Sequence, residues 1–177
     1  MNRAVIEEQV INNITSCEHL PKVVIMCGLA GSGKTTFAKK LENHSYHRLS
    51  IDEEIWKEYG RFGIDYPKDR YEILQVQTNE KLFGQFLKLL REKKNLVVDF
   101  SFWQKAERNK FKEIVDSYGG RWFLVFMNPP LSVIKRRLKS RNKKNDANAA
   151  FPITDKILNQ FLQTFQPPDH EGEIQIR

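Results

Sequence analysis

The chain has 177 residues, 40% of them hydrophobic and 29% charged, and its twenty-nine Lys and Arg against twenty-two Asp and Glu give a net charge of +7. A chain of this length can bury roughly 70% of the surface it exposes when unfolded, enough for one core without disulfide or metal staples and too little for two large domains. Mean hydropathy is negative (−0.56), no apolar stretch approaches the roughly 18 residues that cross a bilayer, and residues 1–15 alternate acidic, amide and apolar side chains, so membrane spans and a secretory signal are not expected.

Apolar positions Ile6, Val10, Ile11 and Ile14 recur at helical spacing and predict an opening helix within residues 1–20, stopped near Pro21. Residues 22–27 follow as a β-branched run that reads as a buried strand, with Cys27 as a small buried thiol at its end. Cys17 is the second of only two cysteines, which points to a reduced, cytoplasmic compartment. Helix is expected at 35–41, a brief strand at 47–51 ending at Asp52, and a long helix at 71–90 with Ile73, Leu74, Leu82, Phe86, Leu87 and Leu90 on its apolar face. Strand 95–99, helix 106–118 closed by Gly119 and Gly120, strand 122–127 and helix 132–140 repeat the alternation. Residues 142–150 are polar and amide-rich and read as a loop, before a helix at 155–165 and an alternating strand at 173–177. Strands separated by helices predict one α/β domain over 1–177, a five-stranded parallel sheet covered on both faces. Ligands of such sheets sit beyond the carboxyl ends of the strands, which directs attention to Gly28, Asp52, Asp99 and Asn128.

Gly28-Leu29-Ala30-Gly31-Ser32-Gly33-Lys34-Thr35 matches G-x-x-x-x-G-K-[ST] between a strand and a helix, the context that makes it a phosphate-binding loop. Glycines let the backbone wrap a diphosphate, successive N–H groups converge on its oxygens, and the helix N-terminus adds a favourable field. Lys34 is expected at the β- and γ-phosphates, Thr35 at magnesium, and Thr36 within the nucleotide-binding segment. Asp116 and Gly119 satisfy a D-x-x-G spacing, but at an expected helix end and with no N-K-x-D signature after it, so a GTPase is not indicated.

With these motifs the chain resembles the small P-loop kinases often labelled AAA-family ATP-binding proteins, relatives of polynucleotide 5'-hydroxyl kinases, gluconate kinases, chloramphenicol phosphotransferases and zeta-type toxins. The resemblance spans about residues 23–171 and rests on the P-loop, Leu49-Ser50-Ile51-Asp52-Glu53, Val97 to Trp103, Arg137-x-x-x-Arg141 and Phe165 to Glu171. Asn95 departs from a common Gly and Gln166 from a common acid. The resemblance implies a three-layer, adenylate-kinase-like P-loop fold with a short lid at 137–151, and magnesium-dependent transfer of the γ-phosphate of ATP to a hydroxyl. It implies Asp52 as acceptor of the hydroxyl proton, Asp99 as the Walker-B-like acid serving magnesium, Arg137 and Arg141 as lid arginines closing over the phosphates, and Pro168 within a loop against the adenine ring. Asp52 can alternatively cap a helix beginning near Glu53, and Asp99 can be a strand-end turn acid.

Seven cations and no acid lie between Lys135 and Lys144; the remaining twenty-two cations equal the acids, so the excess charge is one local run. It reads either as a solvated helix face or as a clamp on an anion, and its shortness favours a triphosphate lid over a nucleic-acid track. The expected partners are a nucleotide and a small hydroxyl-bearing acceptor, with a polynucleotide 5'-hydroxyl kinase and a P-loop ATPase or regulatory nucleotide-binding protein as alternatives. Arg108 reads as a surface helix arginine or a substrate contact. Trp56, Tyr59, Phe62, Tyr66, Phe102 and Trp103 read as core and rim aromatics or as an acceptor-stacking surface.

Overall fold

The structure, a computed structural model, describes residues 2–18, 21–143, 147 and 153–177. Residues 144–146 and 148–151 of the expected lid at 137–151, and Met1, His19 and Leu20 of the expected opening segment, lie outside the described residues.

The elements in chain order are α1 (Arg3–Ser16), β1 (Lys22–Cys27), α2 (Lys34–Glu42), β2 (His47–Leu49), α3 (Ile51–Tyr59), a single 3-10 turn at Lys68–Arg70, α4 (Tyr71–Arg91), β3 (Leu96–Val98), α5 (Lys105–Ser117), β4 (Arg121–Met127), α6 (Leu131–Arg141), α7 (Asp155–Thr164) and β5 (Glu173–Ile176). The five strands form one sheet in the order β2-β3-β1-β4-β5, every pair parallel. The chain runs outward from β1 to β2, returns through β3, then crosses to the other side of β1, so the end of β1 is a topological switch point.

Alternation along the strands builds the two faces. Val23, Ile25 and Cys27 of β1 join Leu96, Val98, Leu124 and Phe126 against Leu82, Phe86 and Leu90 of α4 and Phe111 and Val115 of α5. Val24 and Met26 point the other way, with Val97, Val125 and Ile176, against Ile11 and Ile14 of α1 and Phe37, Ala38 and Leu41 of α2. Helices thus cover both faces of a central sheet, the three-layer P-loop architecture. α1 is tied in by Lys22, whose ammonium donates to the carbonyls of Thr15 and Cys17 at 2.9 and 2.8 Å and so satisfies exposed acceptors at the helix end.

Asn95 and Gln166, the two departures noted in the sequence, each hold backbone donors. Asn95 accepts from the Lys22 N–H through its side chain at 3.0 Å and from the His47 N–H through its carbonyl at 2.8 Å, fixing the start of β1 and β2 against β3. Gln166 accepts from the Lys105 N–H at 2.9 Å, meeting one of the unpaired donors that open α5.

One local expectation is corrected. β2 stops at Leu49 and α3 starts at Ile51, with Ser50 at the cap. Asp52 therefore lies in the first turn of α3 beside Glu53 and Glu54, where acids are favoured by the helix field, and does not cap the helix.

Candidate active site

The loop between β1 and α2 is shaped by glycines in conformations that L side chains avoid. Gly28 has φ 141°, and a Cβ there would stand 2.6 Å from the Met127 carbonyl oxygen; Gly33, at φ 106°, opens α2, and a Cβ there would strike the Arg3 guanidinium. Lys34, 8% exposed, folds back so that its ammonium donates to the carbonyls of Gly28 and Leu29 at 2.8 and 3.0 Å. Burial lowers its pKa from the ordinary value, against the opposing pull of Asp99, Cys27 and Asp52. Cys27 itself is a core thiol, donating to the Phe102 carbonyl at 3.3 Å and pushed up to about 12 by burial.

Two carboxylates face this lysine from different elements. Asp99 follows β3, its backbone N–H held by the Leu49 carbonyl at 2.8 Å and its side chain 2% exposed. Burial pushes its carboxyl up to about 6, although Lys34, Arg48 and a hydrogen bond from Thr35 pull the other way. The Thr35 hydroxyl and Asp99 carboxylate are hard oxygen donors side by side, a pair suited to a divalent cation such as magnesium. Asp52 accepts from the Tyr71 hydroxyl at 3.1 Å. Burial raises its pKa, while Tyr71, Arg141 and Lys34 oppose the rise. Arg48 is a component that the sequence did not reveal: 5% exposed, it meets Asp99 at 3.2 Å, Glu42 at 3.3 Å and Glu53 in a closer pair. Its alternating strand position gave no hint of a buried charge.

A cavity of about 780 Å³ joins these groups at the carboxyl ends of β1 and β3. Of the expected site residues it is lined by Ala30, Gly31, Gly33, Lys34, Thr35, Thr36, Asp52, Asp99, Arg137 and Arg141. Gly28, Leu29 and Ser32 shape the loop without lining the cavity, and Pro168 is buried in the segment between α7 and β5, also outside its wall. Arg137 and Arg141, one helical turn apart, share the inward face of α6 with buried Ile134 and Leu138, whereas Lys135, Arg136 and Lys139 are exposed. The basic run is thus divided: Arg137 and Arg141 line the cavity, and Lys135, Arg136, Lys139 and Lys143 form a solvated face. Arg137 donates to the Ser32 carbonyl at 2.9 Å. Ser101, within the recognised Val97 to Trp103 segment, also lines the cavity, as do Arg3, Glu7, Tyr71, Gln75 and Phe161, which were not singled out as site residues in the sequence.

Arg108 is neither on the surface nor in the cavity. It is 0% exposed, forks onto Glu171 through Nε at 2.8 Å and Nη2 at 2.6 Å, and donates to the Phe102 carbonyl at 2.9 Å, bracing the turn before α5 against the segment before β5. Among the aromatics, Phe102 is core; Phe62, Tyr66 and Tyr71 pack edge-on beside Ile55 and Leu74; Trp103 reaches the cavity. The D-x-x-G spacing is the end of α5, where Asp116 accepts from the Trp122 indole at 3.4 Å. No described helix is long and apolar enough to cross a membrane.

Among curated proteins the chain is similar to the probable disease resistance protein RF45 of Arabidopsis thaliana, 28% identical over 127 residues that cover 66% of this chain and 12% of that protein. It thus spans only about an eighth of the length of such relatives. Among solved structures it is similar to a chain of the Pnkp1/Rnl/Hen1 RNA repair complex (18% identity, TM-score 0.62, covering 90% of this chain and 51% of that one). A gluconokinase from Sinorhizobium meliloti (21%, TM-score 0.55, 90% and 85%) and Chaetomium thermophilum Kti12 in complex with ADP-AlF3 (13%, TM-score 0.62, 85% and 85%) share the fold. The family model described as an AAA domain matches residues 23–168, from the first residues of β1 to the segment before β5. The chain belongs to this AAA-domain family and has the P-loop kinase-like fold.

Proposed function

We propose that the protein is an ATP-dependent kinase that transfers the γ-phosphate of ATP to a hydroxyl of a small-molecule acceptor. The observation that carries this reading is the second carboxylate: Asp52, held by Tyr71, faces Lys34 from α3, apart from the Thr35–Asp99 pair. Nucleotide binding and metal binding alone have no use for it, whereas phosphoryl transfer to a hydroxyl needs a base within reach of the γ-phosphate.

In this reading Gly28 to Thr36 hold the phosphate chain through backbone N–H groups, and Lys34 leaves the Gly28 and Leu29 carbonyls for the β- and γ-phosphates. Thr35 and Asp99 hold magnesium, which when bound supplies charge neutralisation at the phosphates. The acceptor oxygen attacks phosphorus in line, its proton passes to Asp52, the bond from the γ-phosphorus to its bridging oxygen breaks, and ADP leaves. Arg141, beside Asp52 and Lys34, balances charge as it spreads over the transferring group, while Arg137 holds the lid helix to the loop. The acceptor enters past Tyr71, Gln75 and Trp103, a wall of aromatic and amide groups suited to a neutral polyol or nucleoside hydroxyl. The mostly exposed Lys135, Arg136, Lys139 and Lys143 are too few and too local for a strand-binding groove, so an end of a nucleic acid is the less favoured acceptor.

Asp52→Asn tests the reading. It should keep ATP affinity within about twofold and lower phosphotransfer by roughly 10² or more, the scale of a lost general base. Parallel loss of affinity and turnover would instead place Asp52 in metal binding or in the fold.

A further inference from the structure

Among the described residues, Arg3 is the one cationic side chain in the cavity wall that comes from outside the family-matched residues 23–168. It opens α1, and its Nε donates to Glu7 Oε1 at 2.6 Å. Glu7, only 5% exposed, uses its other oxygen to bind Lys40 of α2 at 2.7 Å. A carboxylate held between two cations and inside the protein is a rigid support, and its pKa is lowered although burial opposes this. The support fixes the direction of the guanidinium. Arg3 Nη2 reaches the Ser32 carbonyl at 3.3 Å, the same oxygen that Arg137 contacts from α6 at 2.9 Å, and the Arg3 Nη1 atom is buried with no partner among the described residues.

Two guanidiniums converging on one carbonyl oxygen repel each other, and Glu7, already shared with Lys40, neutralises them incompletely. Such a pair is favourable when an anion bridges it. The cavity at this point is lined by Gly33 and Thr36 at the N-terminus of α2, with Lys39 one turn further on. Arg3 and Arg137 meet the loop at Ser32, whereas Asp52 is held by Tyr71 and Asp99 by Arg48, beside the position from which the phosphoryl group would be transferred. We propose that Arg3 is a nucleotide-binding residue that, together with Arg137, grips phosphate oxygens at the nucleoside end of the phosphate chain, and that bound nucleotide thereby fastens α1 to the P-loop. The inference rests on the nucleotide-binding reading above and extends it to a helix that the family model does not include.

The experiment compares the full chain, carrying any purification tag at its C-terminus, with Arg3→Gln and Arg3→Lys. ADP affinity is measured by calorimetry, and protection of the α1 amides by hydrogen exchange with and without saturating ADP. Loss of a charge-assisted contact at a partly exposed site should weaken ADP binding roughly 5- to 30-fold in Arg3→Gln. Arg3→Lys, which keeps the charge but loses the fork, should recover part of this. ADP should slow exchange across 3–16 in the parent and not in Arg3→Gln, a readout that a merely structural role for Arg3 would not move. If the parent binds ADP and a cooperatively folded Arg3→Gln binds it within twofold, the Arg3 proposal is overturned while the nucleotide reading stands. A parent that does not bind ADP overturns both. Should Arg3→Gln fold poorly, Arg3→Lys carries the test: parental affinity with α1 protection unaffected by ADP overturns the proposal.

Discussion

Asp99 should make the nucleotide-free protein less stable as pH rises, because its carboxyl is buried and its one direct arginine partner, Arg48, is shared with two other carboxylates. Burial lifts it from 3.8 to about 6. The sign follows from linkage: an acid whose folded pKa is raised binds its proton more tightly when folded, so the stabilisation is full below the unfolded value and is lost as pH rises through the folded one. Between pH 4.5 and 8 the two values give a loss of about 2 kcal/mol, which is roughly 4 to 8 °C in Tm for a chain of this size. Asp99→Asn removes that titration. The assay is thermal unfolding of parent and Asp99→Asn in matched buffers, nucleotide-free and with chelator, followed as a difference so that other titrating groups cancel. The Tm of the variant minus that of the parent should climb by roughly 4 to 8 °C across this range, most of it below about pH 6, where it levels off. A difference that stays flat, or falls, would mean that Asp99 is ionised at low cost and would remove the argument that it awaits a cation. The same substitution should abolish the extra stabilisation that magnesium adds to bound nucleotide, so stability gained and function lost should appear in one variant.

Lys34→Ala should leave the fold cooperative, weaken ATP binding and abolish turnover; parental turnover by the folded variant would contradict the P-loop role. Arg141→Ala should lower kcat more than it raises the KM for ATP, because it faces the transferring group, whereas Arg137→Ala should loosen α6 from the loop and chiefly raise the KM for ATP; steady-state kinetics separates the two. Arg108→Met leaves Glu171 buried without its forked partner and should cost about 3 to 5 kcal/mol, with most of the loss recovered in the double variant carrying Glu171→Leu; denaturant unfolding of the four proteins of the cycle measures it, and an unchanged single variant would refute the strut. Neutralising Lys143 should leave acceptor binding and its salt dependence unchanged, while a salt slope for oligonucleotide binding that shrinks in this variant would favour a polynucleotide acceptor.

The centre of the sheet was legible because β1, β3 and β4 are short, largely apolar runs that alternate between two covered faces, as Val23 to Cys27 does, and are followed by glycine, an acid or proline. The P-loop was legible because its backbone conformation demands glycine at Gly28 and Gly33, and Lys34 and Thr35 follow at fixed spacing. Asp52 was found from its family pattern, but its place in the first turn of α3 was obscured by Ile51, which extends a β-like run one residue into the helix. Arg108 was misread because helical periodicity gives a residue's face and not its partner; Glu171, sixty-three positions away, turns a surface-looking arginine into a buried strut. Arg48 was hidden in the same way, since its three carboxylates come from α2, α3 and the end of β3. Arg3 was beyond reach for a further reason: the approach of α1 to the P-loop depends on how the whole helical layer sits on the sheet.

The most direct test follows the γ-phosphate itself. With γ-labelled ATP and magnesium, the parent is incubated alone and with panels of polyols, sugars, nucleosides, hydroxylated antibiotics and oligonucleotide 5'-hydroxyl ends, and the label is partitioned between inorganic phosphate and phosphoester. A small hydroxyl-bearing acceptor should divert label from phosphate into a stable phosphoester, and Asp52→Asn should suppress that product roughly 10²-fold while ATP still binds. Release of label only as inorganic phosphate across all panels, unchanged by Asp52→Asn, would contradict the kinase reading and leave a nucleotide-hydrolysing or nucleotide-sensing protein in its place.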